Sequence, residues 1–147
     1  MAVLTGCSKP APPALVYKMG ERVEAGPITY NVFEAEWKTQ LGTGQQASVP
    51  AHRYLVVHLS ATNGGAETVS LPPLMLTDDS GQVYGEAPIA GDIPAALGLV
   101  RTLKPADTLD GRVLFDVDPK SYKLKLDDPL GSGKSAMVEI ALQFAPQ

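Results

Sequence analysis

Between His52 and Asn63 the chain alternates: Leu55, Val57, Leu59 and Ala61 are apolar, and His58, Ser60 and Thr62 stand between or beside them. Alternation of period two, in a run rich in β-branched and aromatic residues, predicts a strand with one buried face. Such a strand is unstable alone, so the other apolar runs must supply sheet neighbours and a second layer. Leu109, Gly111, Val113, Phe115 and Val117 alternate with Asp110, Arg112, Asp116 and Asp118. Tyr122, Leu124 and Leu126 alternate with Lys123 and Lys125, and Val138, Ile140, Leu142 and Phe144 with Glu139, Ala141 and Gln143. The pattern predicts an all-β fold, an antiparallel β-sandwich of about seven or eight short strands.

Departures from the rhythm are as informative. Ile28, Tyr30 and Val32 put an apolar face on even positions, whereas Phe33, Ala35 and Trp37 put it on odd ones. One extra residue, a β-bulge near Val32 to Glu34, accounts for the switch. Gly, Gln, Thr and Ser crowd residues 40–49 and predict a surface loop. Asn63-Gly64-Gly65 marks a turn, and a strand beginning at Thr68 is stopped by Pro72-Pro73. Asp78-Asp79-Ser80-Gly81, between Leu74-Met75-Leu76-Thr77 and Gln82-Val83-Tyr84, reads as the turn of a hairpin. Residues 86–104 predict a long crossover between two sheets, with one short helical turn over 92–100 for which Asp92 is the cap.

Composition narrows the field. At 147 residues and 44% hydrophobic, the chain suits one domain with a real core. The 12 Lys and Arg are scattered and the net charge is −4, which argues against nucleic acid as a partner. No run approaches the length of apolar chain that a membrane-spanning helix needs. A single cysteine, Cys7, excludes an intramolecular disulfide and a cysteine-based metal cluster.

The setting of Cys7 carries more. Leu4-Thr5-Gly6-Cys7 resembles the lipobox of bacterial lipoproteins, in which the cysteine is lipidated and becomes the mature N-terminus. Ser8-Lys9-Pro10-Ala11-Pro12-Pro13-Ala14 then reads as an extended Pro-rich tether. On this reading residues 1–6 are the remnant of a signal peptide, 7–16 a tether and 17–145 the folded domain. Met1 to Gly6 is shorter than the charged and apolar regions of a signal, so the signal is expected to extend upstream. The alternative is a cytoplasmic chain with an ordinary free cysteine.

The order of segments resembles a family, the bacterial extracellular immunoglobulin-like domain of unknown function, akin to mycobacterial immunoprotective secreted antigens. The similarity lies in Met19-Gly20-Glu21, Tyr54 to Asn63, Leu76 to Tyr84, Leu103-Lys104-Pro105 and Gly111-Arg112-Val113-Leu114-Phe115. It implies an immunoglobulin-like sandwich that is secreted or lipid-anchored, and it brings no catalytic residues. Family members tend to carry Pro-Gly where this chain has Pro105-Ala106, so a type II turn is not expected there, since Ala resists the positive φ that Gly supplies.

Candidate chemistry is thin. Pro129 to Ser135 resembles the end of a phosphate-binding loop, but Asp128 stands where the motif needs Gly and the following residues alternate as a strand. It is read as a hairpin loop. His52 and His58 share parity but sit about 20 Å apart along an extended strand, too far for one metal ion. Asp78-Asp79-Ser80-Gly81 departs from a calcium loop, and Asp110, Asp116 and Asp118 read as solubilising charges. No Ser or Cys has a His and an acid at a nucleophile elbow. The expectation is therefore a non-catalytic module with no cofactor and no metal site, lipid-anchored through Cys7 in the cell envelope or else secreted. Its partner would be an envelope or extracellular protein, bound through loops 40–49 and 86–99. The alternative is a periplasmic small-ligand or metal carrier on the same fold.

Overall fold

The strand predicted at the centre of the chain is the centre of a sheet. The computed structural model describes residues 15–42, 44–88, 93–98 and 101–140. The lipobox with Cys7, residues 8–14 of the tether, Asp92 and the alternation through Leu142 and Phe144 lie outside the described residues. In chain order the strands are β1 (Leu15–Lys18), β2 (Arg22–Ala25), β3 (Ile28–Lys38), β4 (Tyr54–Asn63), β5 (Val69–Ser70) and β6 (Met75–Thr77). β7 (Val83–Gly85), β8 (Thr102–Leu103), β9 (Thr108–Asp116), β10 (Tyr122–Asp127) and β11 (Ser135–Ile140) follow. The number exceeds the expected seven or eight because strands of two to four residues form edges and crossings where the sequence shows no alternation.

One sheet has the order β1-β11-β10-β6-β7, the other β2-β3-β4-β9. Neighbours are antiparallel except β1 and β11, which run parallel with Leu15 opposite Ala136. β1 begins inside the segment that the sequence assigns to the tether. Two of the connections between the sheets, from β4 to β6 and from β7 to β9, pair with each other as β5 and β8. Leu55, Val57, Val113 and Phe115 of one sheet and Leu76, Leu124, Val138 and Ile140 of the other fill one interior, each at most 1% exposed. This is the two-layer sandwich expected, and each fully buried aliphatic or aromatic side chain stabilises it by about 1.5–3 kcal/mol.

The β-bulge lies where parity requires it, with the register of β3 on β4 shifting between Val32 and Glu34. Ala35 and Trp37 return to the core, but Phe33 does not: it is the extra residue, half exposed, on the outer face. A second correction concerns β4, where Tyr54, Val56 and Ser60 on the other parity are buried too. The strand is covered on both sides. A third is the helical turn: residues 93–98 make a turn and a bridge from Ala96 to Arg112, and the helical turn among the described residues is Gly44–Gln46.

A fourth correction is at Ala106, which adopts φ 69°. Its turn closes through Asp107 N donating to Lys104 O at 3.0 Å, the hydrogen bond of a type II turn, with Ala in the strained place. Asn63 holds it there. Fully buried, Asn63 accepts from Ala106 N, donates its own N–H to Asp107 O, and gives its side-chain amide to Glu67 O and Leu103 O.

Candidate functional site

Coverage of β4 requires chain on the outside of the second sheet, and the two loops nominated from the sequence supply it. Tyr54, Val56 and Leu114 point outward, and Leu41, Ala87 and Ile93 pack on them. The 40–49 loop is closed at its neck by reciprocal hydrogen bonds between Leu41 and Ser48. The crossover runs along β9, with Ala87 N donating to Leu114 O at 2.8 Å, Leu97 N to Arg112 O at 2.8 Å and Arg112 N to Ala95 O at 3.0 Å. Gly111 makes this approach feasible: a Cβ there would stand 2.4 Å from Ala95 O and 2.5 Å from Leu97 Cδ2. Leu97 fills the space that Gly111 leaves.

An ion pair locks the crossover. The guanidinium of Arg101 grips both carboxylate oxygens of Glu86, and the two side chains are 5% and 8% exposed. Arg101 Nε also donates to Gly98 O, and Glu86 Oε2 accepts from Leu74 N. With all three guanidinium nitrogens and both carboxylate oxygens engaged, the pair ties both ends of the crossover and the β5–β6 connection together. Beneath it Tyr30, 1% exposed, makes no hydrogen bond through its hydroxyl among the described residues, and burial pushes that hydroxyl well above the ordinary tyrosine range.

Between the two loops the outer face holds a groove of about 160 Å³, lined by Glu36, Lys38, Leu41, Val56, Ile93, Pro94 and Arg112. Its floor is apolar and its rim carries both signs of charge. Arg112 donates to Pro94 O at 3.1 Å and lies 3.8 Å from Glu34, and Lys38 lies 3.4 Å from Glu36. Beside the groove His58 Nε2 sits 2.9 Å from Asp110 and Nδ1 4.0 Å from Glu34, with Phe33 against the imidazole at 5.0 Å between ring centres. The bulge explains this cluster, because it turns both Phe33 and Glu34 to the outside opposite His58.

The opposite sheet offers a different arrangement at its β6–β7 turn. Asp78 Oδ1 accepts from Ser80 N, Ser80 Oγ and Gln82 N, and Oδ2 from Tyr84 Oη and Lys120 Nζ, both at 2.9 Å. These donors, Lys120 foremost and then Ser80, hold the carboxyl well below the usual range. In return Asp78 holds the Lys120 ammonium above its ordinary value. Lys120 lies over the rings of Tyr84 and Tyr122, and Trp37 stands 6.2 Å from Tyr122. Protein donors engage both oxygens of Asp78, so Asp78-Asp79-Ser80-Gly81 turns the chain, as its departure from a calcium loop implies.

The two histidines are not brought together. His52 lies before β4 and pairs with Asp118 at 3.0 Å, while its backbone N–H donates to Asp116. Asp110, Asp116 and Asp118 are therefore tied to partners, a correction to their reading as solubilising charges alone. Residues 129–134 form the β10–β11 hairpin loop, with Leu130 N donating to Asp128 Oδ1. Among the described residues no three His, Cys, Asp or Glu converge as a metal site. The sequence reading missed Glu86 and Arg101, and it gave Arg112 and Lys120 no role. Leu114, the lone apolar residue in an outward row of charges, was the available signal that something covers β9.

A family model described as "Domain of unknown function (DUF4352)" matches residues 17–137. No curated protein matches. Among solved structures, the yjhA protein from Bacillus subtilis is similar at TM-score 0.67 and 15% identity, covering 84% of this chain and 98% of that one. A "putative lipoprotein (ycdA)" from Bacillus subtilis is similar at 0.64 and 15%, over 82% of this chain and 38% of that one. The secreted protein MPT63 from Mycobacterium tuberculosis is similar at 0.57 and 13%, over 89% and 99%. At these identities the likeness shows the fold.

Proposed function

The chain belongs to the DUF4352 family, and on that premise we propose that it is a non-catalytic module of the cell envelope, anchored by lipid on Cys7, that binds an envelope protein or component. The observation that carries the binding role is the convergence of loops 40–49 and 86–98 over the outer face of β3, β4 and β9, where they frame the groove. An apolar floor with a rim of Glu36, Lys38 and Arg112 suits an apolar side chain flanked by charges on a partner. The lipobox resemblance supports the anchor, and structural neighbours named as a "putative lipoprotein" and as a secreted protein support an extracytoplasmic address.

Two variants on the groove test the reading. Envelope extract passed over the immobilised chain is expected to leave a retained species that Ile93→Asp and Lys38→Glu lose and that Glu139→Lys, on the other sheet, keeps. Equal retention by all four proteins would end the assignment to this face. Membrane fractionation of cells carrying wild type and Cys7→Ser tests the anchor, with release of the Cys7→Ser protein as the expected result. A thermal shift with copper, zinc and calcium covers the carrier alternative, for which specific stabilisation at low micromolar metal is the signature.

A further inference from the structure

Strand directions fix the position of the tether on the molecule. β1 starts at Leu15 beside Ala136, and the β10–β11 loop ends just before Ser135, where β11 begins. The β2–β3 turn shares that end of the sandwich, since a Cβ on Gly26 would fall 2.1 Å from Asp128 Oδ1. The opposite end carries the close of β3 at Trp37 and Lys38, the 40–49 loop and the β6–β7 turn. The first end has a distinctive tip. Asp128 N donates to Lys134 O, Gly131 N to Asp128 O and Leu130 N to Asp128 Oδ1, a closed turn that holds Leu130 outward at 62% exposure. Leu15, on the strand paired with β11, is 67% exposed.

From this we infer that the Leu130 end of the sandwich rests on the bilayer, with Leu130 and Leu15 entering the headgroup region. The inference rests on the proposed lipid anchor at Cys7. Eight residue steps separate Cys7 from Leu15, about 25 Å for a Pro-rich extended chain. β3 alone, at 11 residues, is about 36 Å long. A tether leaving from the Leu130 end is too short to run back along the domain and bring the Trp37 end to the membrane. Between lying on its side and standing on its end, the exposed residues favour the end: the outer face of the first sheet sets Val16 and Val83, each 49% exposed, among Lys123, Lys125 and Glu139, whereas the end carries the more exposed Leu130 and Leu15 beside Asp127 and Asp128. A short tether raises the local concentration of the end at the surface, so a small apolar tip suffices. The groove then faces sideways and the 40–49 loop outward, both open to a partner.

The single thiol permits a test that does not depend on cellular lipidation. The full chain is coupled through Cys7 to a maleimide lipid in phosphatidylcholine vesicles with brominated acyl chains, and a tryptophan is introduced by Leu130→Trp, Leu15→Trp, Val83→Trp or Glu139→Trp, with Trp37 common to all. The fluorescence added at 130 and 15 is expected to fall about twofold and shift to the blue on coupling, and that at 83 and 139 to stay unchanged. An unquenched probe at both 130 and 15, or quenching at 83 or 139 as strong as at 130, overturns the inference. Because the anchor is supplied chemically, this result is separate from that of the Cys7→Ser fractionation, which tests the anchor itself.

Discussion

The two sheets of this sandwich solve the same problem on their inner faces and opposite problems on their outer ones. On the first sheet Lys123, Lys125 and Asp127 of β10 and Glu139 of β11 meet water directly, and the alternation with Leu124, Leu126 and Val138 is clean. On the second, Tyr54, Val56 and Leu114 are buried from outside, with Leu41, Ala87 and Ile93 packed over them. A bare face needs nothing to hold it down but offers only separate side chains, chiefly charged. A covered face needs a lock, and once locked it presents a shaped surface built from loops on a rigid floor.

That difference can be broken most severely at its lock. Arg101→Ala leaves the Glu86 carboxylate buried without its cation, and unfolding by urea should show a loss of about 3–5 kcal/mol. A loss below about 1 kcal/mol would mean that the crossover holds without the pair. A paired substitution sharpens the contrast. Leu114→Ala on the covered face should cost about 2–4 kcal/mol, Met137→Ala on the bare face less than about 1 kcal/mol, and equal costs would dissolve the distinction.

The smallest effect is one of pH. Polar bonds secure the edge of the bare sheet, and Asp78, whose folded pKa lies below its unfolded value of about 3.9, stabilises above that value and stops doing so as pH falls through the folded one. Lys120 works at the other limit: its raised pKa gives a contribution complete below about pH 10.4 and lost as pH rises through the folded value. Thermal melts of Asp78→Asn should therefore depend less on pH below about 4 than those of wild type, while Leu114→Ala keeps the wild-type dependence. Matching acid profiles for Asp78→Asn and wild type would remove Asp78 from the account.

The same contrast explains what the sequence disclosed. Alternation made β10 and β11 of the bare sheet readable, and the parity switch located the bulge at Val32 to Glu34, because both are signals of period two. The covered face was half readable. Tyr54 and Val56 sit among His58, Ser60 and Thr62, so the second apolar side of β4 was present in the letters but was overruled by the clearer odd face. Glu86 and Arg101 were not readable, since an ion pair between irregular segments leaves no periodic trace. Ala106 misled for a related reason: its local preference opposes φ 69°, and the bonds of the distant Asn63 prevail. The candidate groove was legible only as two loops, and their meeting is a property of topology.

The parallel pairing of β1 with β11 also sets an order of events. β1 has no partner strand until β11 follows it, more than a hundred residues later along the chain. β10 can join β6, and β4 can join β3, while β1 still waits. Pairing of β1 with β11 therefore cannot form before residues 135–140 have been made.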